Sequence, residues 1–177
     1  MKKKLKKIPG LLWITGYSGS GKTTISKLIK KKLSKKYSNI VLLDGDILRK
    51  KLKINKVNSF NITKRKKIGL SYVSYCQNLV SKKKYVIIAT IALFKKVQEA
   101  YQKIENVNDV FLKVPLKELK RRDPKNLYKK YYEGEINNIS GLDLKSDIPE
   151  NPSLIIDFKK NKTINKILNK ILKIIDE

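Results

Sequence analysis

Positions 16 to 23 read Gly-Tyr-Ser-Gly-Ser-Gly-Lys-Thr, which satisfies the spacing G-x-x-x-x-G-K-[ST]. Gly16, Gly19 and Gly21 let the backbone curl until successive N–H groups converge on a phosphate oxygen. A helix opening at Lys22 adds its positive end, so an anion is the natural guest. In such a loop Lys22 bridges the β- and γ-phosphates of a nucleoside triphosphate, and the Thr23 hydroxyl ligates Mg²⁺. Ser18, Ser20 and Thr24 complete the stretch expected to line the phosphates. An apolar run precedes the motif and an amphipathic stretch follows it, which is the strand–loop–helix context it requires.

A second group of chemistry-bearing residues is Asp44-Gly-Asp46, directly after another apolar run. Asp and Gly there could simply shape a turn. Beside a phosphate loop, a carboxylate can instead hold metal-bound water or take a proton from an attacking hydroxyl. The chain contains no His, so a carboxylate is the natural base. Arg49 follows within reach of an anionic acceptor, and Arg65 follows Phe60, a ring that could stack on a base or pack in the core. Arg121-Arg-Asp-Pro-Lys-Asn-Leu-Tyr-Lys-Lys130 reads as a basic helix end running through Pro124 into a second short helix. Such a segment suits a lid that brings positive charge to a transferring phosphoryl group and excludes water.

Elements to position these residues are legible in the hydropathy pattern. Short apolar runs at Leu11–Thr15, Ile40–Leu43, Tyr85–Ala89, Val110–Val114 and Leu154–Ile156 predict buried strands. Helix-like spacing marks 22–36, 63–82, 94–104 and 116–132, and 160–177 predicts a C-terminal helix. Apolar strands alternating with helices imply an α/β three-layer sandwich: a mostly parallel five-stranded sheet with helices on both faces. Ligands in such folds bind at the carboxyl ends of the strands, where the Gly16 loop and Asp44 fall. The 177 residues, 41% of them hydrophobic, predict one domain, with a basic tail over 1–10 and the lid over 119–135. The run after Met1-Lys-Lys-Lys resembles a secretory leader, but Pro9 and Gly10 break it and no small-residue cleavage site follows. One cysteine, Cys76, excludes an internal disulfide and a cysteine-cluster zinc site; it reads as a small core residue, and a cytoplasmic setting is expected. No apolar run approaches the roughly 20 residues that span a bilayer, so no membrane partner is expected.

The net charge of +27 does not by itself predict a nucleic-acid binder. Only four of the 42 basic residues are Arg (Arg49, Arg65, Arg121 and Arg122), and Arg is the residue that binds phosphates and bases bidentately. The Lys residues are spread through nearly every segment and read as a background bias, so no specific nucleic acid is expected. The four Arg mark places where Lys would not serve.

Taken in order, Gly16–Thr24, Leu42-Leu-Asp-Gly-Asp46 with Arg49, Phe60 with Arg65, Val86–Thr90, Arg122–Lys130, Gly134-Glu-Ile136, Ser140-Gly-Leu-Asp143 and Ile148-Pro-Glu-Asn-Pro152 resemble the adenylyl-sulfate kinase family. The resemblance covers about residues 11 to 158. It implies a P-loop kinase that moves the ATP γ-phosphoryl, with Mg²⁺, to the 3′-hydroxyl of adenosine 5′-phosphosulfate. It further implies Asp44, Lys22, Asp46 and Arg122 as the catalytic group, Arg121 as a further ATP contact, and Thr23 with Asp44 at the metal. Asp46, Arg49, Phe60, Arg65, Ile88, Thr90, Lys129 and Ile139 would then hold a small nucleotide acceptor. A homodimer is compatible with the family.

The chain departs from the family pattern on the acceptor side. Ile47 stands where the family has Asn in Asp-Gly-Asp-Asn, and Ile68 falls where an acceptor-contacting Asn is expected. Ala92-Leu-Phe-Lys95 replaces Ser-Pro-Tyr-Arg, and Ile139 replaces an aromatic that would close a sandwich on the acceptor base with Phe60. Losing a stacking face weakens binding of a base by about 1–3 kcal/mol. A relative in surface-polysaccharide pathways phosphorylates cytidine diphosphoramidate, and this is the alternative acceptor. A P-loop ATPase switch with a nucleic-acid-binding surface is the alternative of a different class.

Overall fold

A computed structural model describes residues 9–54, 61–161 and 163–176. Five strands form one sheet: β1 (Gly10–Thr15), β2 (Ile40–Asp44), β3 (Tyr85–Thr90), β4 (Val107–Lys113) and β5 (Leu154–Asp157), in the order β2-β3-β1-β4-β5. Every pairing is parallel. All the strands expected from apolar runs are present, and the sheet is wholly parallel rather than mostly so. Central β1 is buried along its entire length.

Successive strand residues face opposite sides of a sheet, and β1 separates two cores in this way. Leu12 and Ile14 face α1 (Lys22–Leu33) and α7 (Ile164–Asp176), meeting Ile25, Ile29, Ile167, Leu168 and Ile171. Leu11 and Trp13 face α3 (Ile62–Ser81) and α4 (Lys95–Tyr101), meeting Val73, Cys76, Val97 and Tyr101. Burial pushes the Cys76 thiol up to about 12, consistent with a core residue. A glycine is required where α3 crosses α4, because a Cβ at Gly69 would lie 2.7 Å from Val97 Cγ2.

The 116–132 stretch is two helices, α5 (Leu116–Arg122) and α6 (Leu127–Tyr132), broken at Asp123-Pro124 as the run through Pro124 into a second short helix implied. Between them Asp123 accepts from the backbone N–H of Leu127 at 2.9 Å and of Lys129 at 3.0 Å. A further helix, α2 (Gly45–Lys51), follows β2 directly and was not expected. Its seven residues are too few for helical periodicity to stand out, and Asp-Gly reads as turn chemistry.

The buried carboxylate of Asp109, 6% exposed, ties β4 to the segment entering β5. It accepts from Tyr101 Oη at 3.0 Å, Ser153 N at 2.8 Å and Ser153 Oγ at 2.9 Å. Asp109→Ala leaves the buried Tyr101 hydroxyl without its acceptor and frees the Ser153 donors to solvent, and is expected to cost about 1–3 kcal/mol in chemical denaturation. A loss below about 0.5 kcal/mol would contradict this account of the junction.

Candidate active site

The Gly16–Thr23 loop leaves the end of the central strand and enters α1 with Gly21 as its N-cap at φ +90°. Gly16 cannot be replaced without strain: at φ +151°, a Cβ would lie 2.7 Å from Ser20 Oγ and 3.0 Å from the Leu112 carbonyl. Lys22 folds back over the loop, its Nζ donating to Tyr17 O at 2.8 Å and to Ser20 Oγ at 3.3 Å. Burial, and then the nearby charge of Lys125, lower its pKa to about 7. Thr23 and Thr24 are exposed in the first turn of α1, where no acidic residue stands.

Asp44 is both the last residue of β2 and the N-cap of α2. Its Oδ1 accepts from the N–H of Asp46 at 3.0 Å and of Ile47 at 2.8 Å. The turn-shaping and chemical readings of this aspartate are therefore compatible, because the capping bonds use one oxygen only. Asp46 ion-pairs with Arg49 on its own helix and with Lys125 Nζ at 3.2 Å. Burial works to raise the Asp46 pKa, and the bonds and charges of Lys125 and Arg49 together outweigh it and hold it below the ordinary value.

The α5–α6 segment lies against the phosphate loop. Arg122 Nη1 donates to Gly19 O at 3.4 Å, and Tyr128 Oη donates to Ser18 O at 3.1 Å. Glu118 orients both arginines at the end of α5, taking Arg121 through two bonds of 2.8 and 2.7 Å and Arg122 Nε at 2.7 Å. Those bonds draw the Glu118 carboxyl down to about 2. Arg122 also lies over the Phe158 ring, 5.2 Å from its centroid. Together with Pro115, Lys159, Asn161 and Ile164 these two flat groups line a groove of about 450 Å³.

The residues expected to hold an acceptor are only partly brought together. Arg65 donates to Asn138 O at 2.8 Å; burial lowers its pKa, Asp143 raises it, and Arg49 lowers it. Mutual repulsion between Arg49 and Arg65 means the two guanidiniums share a neighbourhood suited to an anion. Thr90 ends β3, and its Oγ1 accepts from Ala92 N at 3.3 Å. Phe60 lies outside the described residues.

The structure places four of the expected residues away from the phosphate loop and Asp46. Ile88, 0% exposed, pairs in register with Trp13 and Leu43 and belongs to the core rather than to a binding surface. Ile139 packs under α6 with Val114, Leu119 and Tyr128 instead of presenting a face to a base. Lys129 pairs with Glu133 at 3.8 Å, and it is Lys125 that reaches the acceptor side. Arg121 is 71% exposed and engaged with Glu118, and it is Arg122 that meets the loop. Sequence reasoning also missed Tyr128 and Phe158. Phe158 directly follows a strand end, the position where such sheets bind ligands, and that rule could have flagged it.

Comparison with known proteins supplies the rest. The family model described as adenylylsulphate kinase matches residues 9–157. The chain belongs to the adenylylsulphate kinase family. It is 32% identical over 164 residues to a cytidine diphosphoramidate kinase of Campylobacter jejuni, spanning 92% of this chain and 95% of that one. It is 36% identical over 152 residues to a probable adenylyl-sulfate kinase of Archaeoglobus fulgidus, spanning 85% and 97%. Among solved structures, the Mycobacterium tuberculosis APS kinase in complex with AMPPNP and APS superimposes with a TM-score of 0.85 at 26% identity, covering 97% of this chain and 100% of that one. A shikimate kinase of Acinetobacter baumannii, 14% identical with a TM-score of 0.59 and covering 95% and 93%, shares the fold alone. The fold is thus that of a P-loop kinase, and the family member is a kinase that transfers phosphate to a hydroxyl acceptor. Among the described residues, no helix is long and apolar enough to cross a membrane.

A nucleotide bound to the loop places negative charge beside Lys22 and raises its depressed pKa. At pH 8 ATP binding is therefore expected to take up close to one proton per site, read calorimetrically from the dependence of binding heat on buffer ionisation enthalpy. Binding heats that do not vary with the buffer would contradict this.

Proposed function

We propose that this protein transfers the γ-phosphoryl of MgATP to the 3′-hydroxyl of a small nucleotide, with adenosine 5′-phosphosulfate as the acceptor read first and PAPS as its product. The observation that carries the reading is the reach of one segment. Arg122 and Tyr128 of α5–α6 touch the phosphate loop, while Lys125, close enough to depress Lys22, pairs with Asp46 beside Arg49. That segment joins a donor half to an acceptor half and acts as the lid between them.

In this reading the loop from Gly16 to Thr24 cradles the phosphates, and Lys22 with Arg122 shares the charge that develops on the transferred group. The groove lined by Phe158, Pro115, Asn161 and Ile164 takes the donor base against the Phe158 ring, with Arg122 closing its phosphate end. Arg49 and Arg65 hold the anionic end of the acceptor. Asp44 orients the attacking hydroxyl and accepts its proton through the carboxylate oxygen that does not cap α2. Among the described residues, no group of three or more His, Cys, Asp or Glu could hold a metal ion. The Thr23 hydroxyl and the Asp44 carboxylate instead fit a Mg²⁺ carried in mainly by the phosphates. Held there, the ion would supply positive charge that offsets the negative charge of the phosphates.

A second acceptor, cytidine diphosphoramidate, is favoured by the Campylobacter jejuni relative, 95% of whose length the chain spans. The burial of Ile139 under α6 points the same way, since it removes a wall that would suit a larger purine.

Two measurements test the reading. Release of ADP is followed with each acceptor in turn; turnover of adenylyl sulfate supports the first acceptor, turnover of cytidine diphosphoramidate alone the second, and turnover of neither contradicts the proposal. Asp44→Asn keeps the helix cap, because an Asn side chain also accepts those bonds. It is expected to leave the melting temperature within a few degrees while lowering kcat by about a hundredfold or more. A variant that retained more than about a tenth of the wild-type rate would remove Asp44 from the chemistry.

A further inference from the structure

Within the phosphate loop, Ser20 N–H donates to Tyr17 O at 3.2 Å, closing a turn around Ser18 and Gly19. Gly19 has φ +76°, and Ser18 is absent from the described non-glycine residues with positive φ. That combination is a type II turn, and a flip of its central peptide gives type I without breaking the closing bond. The central peptide here carries the Ser18 carbonyl and the Gly19 N–H. A planar trans peptide points these two groups in opposite directions, so whatever holds the carbonyl also aims the N–H. The group on the Ser18 carbonyl is the Tyr128 hydroxyl, at 3.1 Å.

Tyr128 is itself held firmly. It is 2% exposed and packs with Val114, Leu119 and Ile139, with Tyr17 of the loop against the same cluster. The two oxygens of Asp123 fix the N–H groups on either side of it, at Leu127 and Lys129. Burial first, and then the charge of Asp123, push the phenol up to about 12, so it stays a donor at neutral pH.

We propose that Tyr128 is a positioning residue for phosphate binding: its hydroxyl pins the Ser18–Gly19 peptide so that the Gly19 N–H, on the side away from α6, is presented to the bound phosphates. The inference rests on the loop being the phosphate cradle and is independent of which acceptor is used. Tyr128→Phe removes the pin and keeps the ring. The turn then samples the flipped peptide, and phosphate-bearing ligands lose one preset donor.

The test is calorimetric affinity for ATP and for inorganic tripolyphosphate, in wild type, in Tyr128→Phe, and in protein carrying 4-aminophenylalanine at position 128. Both ligands are expected to bind about fivefold to tenfold more weakly to Tyr128→Phe, by the same factor, and 4-aminophenylalanine, which restores a donor on the same ring, is expected to recover most of the loss. Unchanged tripolyphosphate affinity, or weakening of ATP alone, would overturn the proposal. So would a fall in melting temperature accompanied by a loss of affinity that 4-aminophenylalanine does not reverse, which would assign Tyr128 to packing. Tripolyphosphate has neither base nor acceptor, so a wrong acceptor assignment would leave these results untouched.

Discussion

A phosphate loop must turn its backbone N–H groups to one side, and the rest of this structure depends on how the carbonyls on the other side are satisfied. An unliganded loop of this kind has donors without acceptors on one side and carbonyls to satisfy on the other. Here the carbonyls are taken in sequence. Tyr17 O accepts from Lys22, Ser18 O from Tyr128 and Gly19 O from Arg122. The last two donors come from α5 and α6, so the loop and the covering segment stabilise one another before any nucleotide arrives. The central place of β1, buried along its whole length between β3 and β4, gives that arrangement a rigid base.

Scarce acidic residues then do specific work in a chain with 42 basic and 15 acidic side chains. Glu118 gathers Arg121 and Arg122 and sets the second of these against the loop. Asp123 fixes the first turn of α6, and Asp46 gathers Arg49 and Lys125 where the two halves of the site meet. Glu118 and Asp46 each keep cationic groups together that would otherwise repel. An anion could compete with Asp46 for Arg49 and Lys125, so these ion pairs are ones a substrate would exchange. Lys22 has no such carboxylate partner, which is why burial and Lys125 depress it.

Much of this was legible in the sequence because it was written in patterns with a fixed period or fixed spacing. The five apolar runs became five strands, and the Gly16–Thr23 spacing became the loop at the end of the first. Of the four arginines, Arg122 contacts the loop, Arg49 pairs with Asp46 and Arg65 meets the 138–143 segment, while Arg121 is exposed and paired with Glu118. What the sequence could not show were choices made by packing. Spacing alone does not say whether Lys125 or Lys129 of a Lys-rich segment turns toward Asp46, and α6 decides it. Nor does it say that Ile88 faces Trp13, or that Ile139 is enclosed by Tyr128, because both depend on which side of a strand or loop meets its neighbour. The short helix α2 was hidden for a different reason: seven residues are too few to show a period, and the Asp-Gly that caps and opens it reads equally as a turn.

The claim at the centre of this account is that the γ-phosphoryl moves to a ribose 3′-hydroxyl and not to water or to another phosphate. Phosphorus NMR of the reaction mixture tests it most directly. The account predicts a new phosphomonoester resonance coupled to the H3′ proton of the acceptor, appearing in step with ADP. Orthophosphate as the sole product, or a new phosphoanhydride resonance, would contradict it.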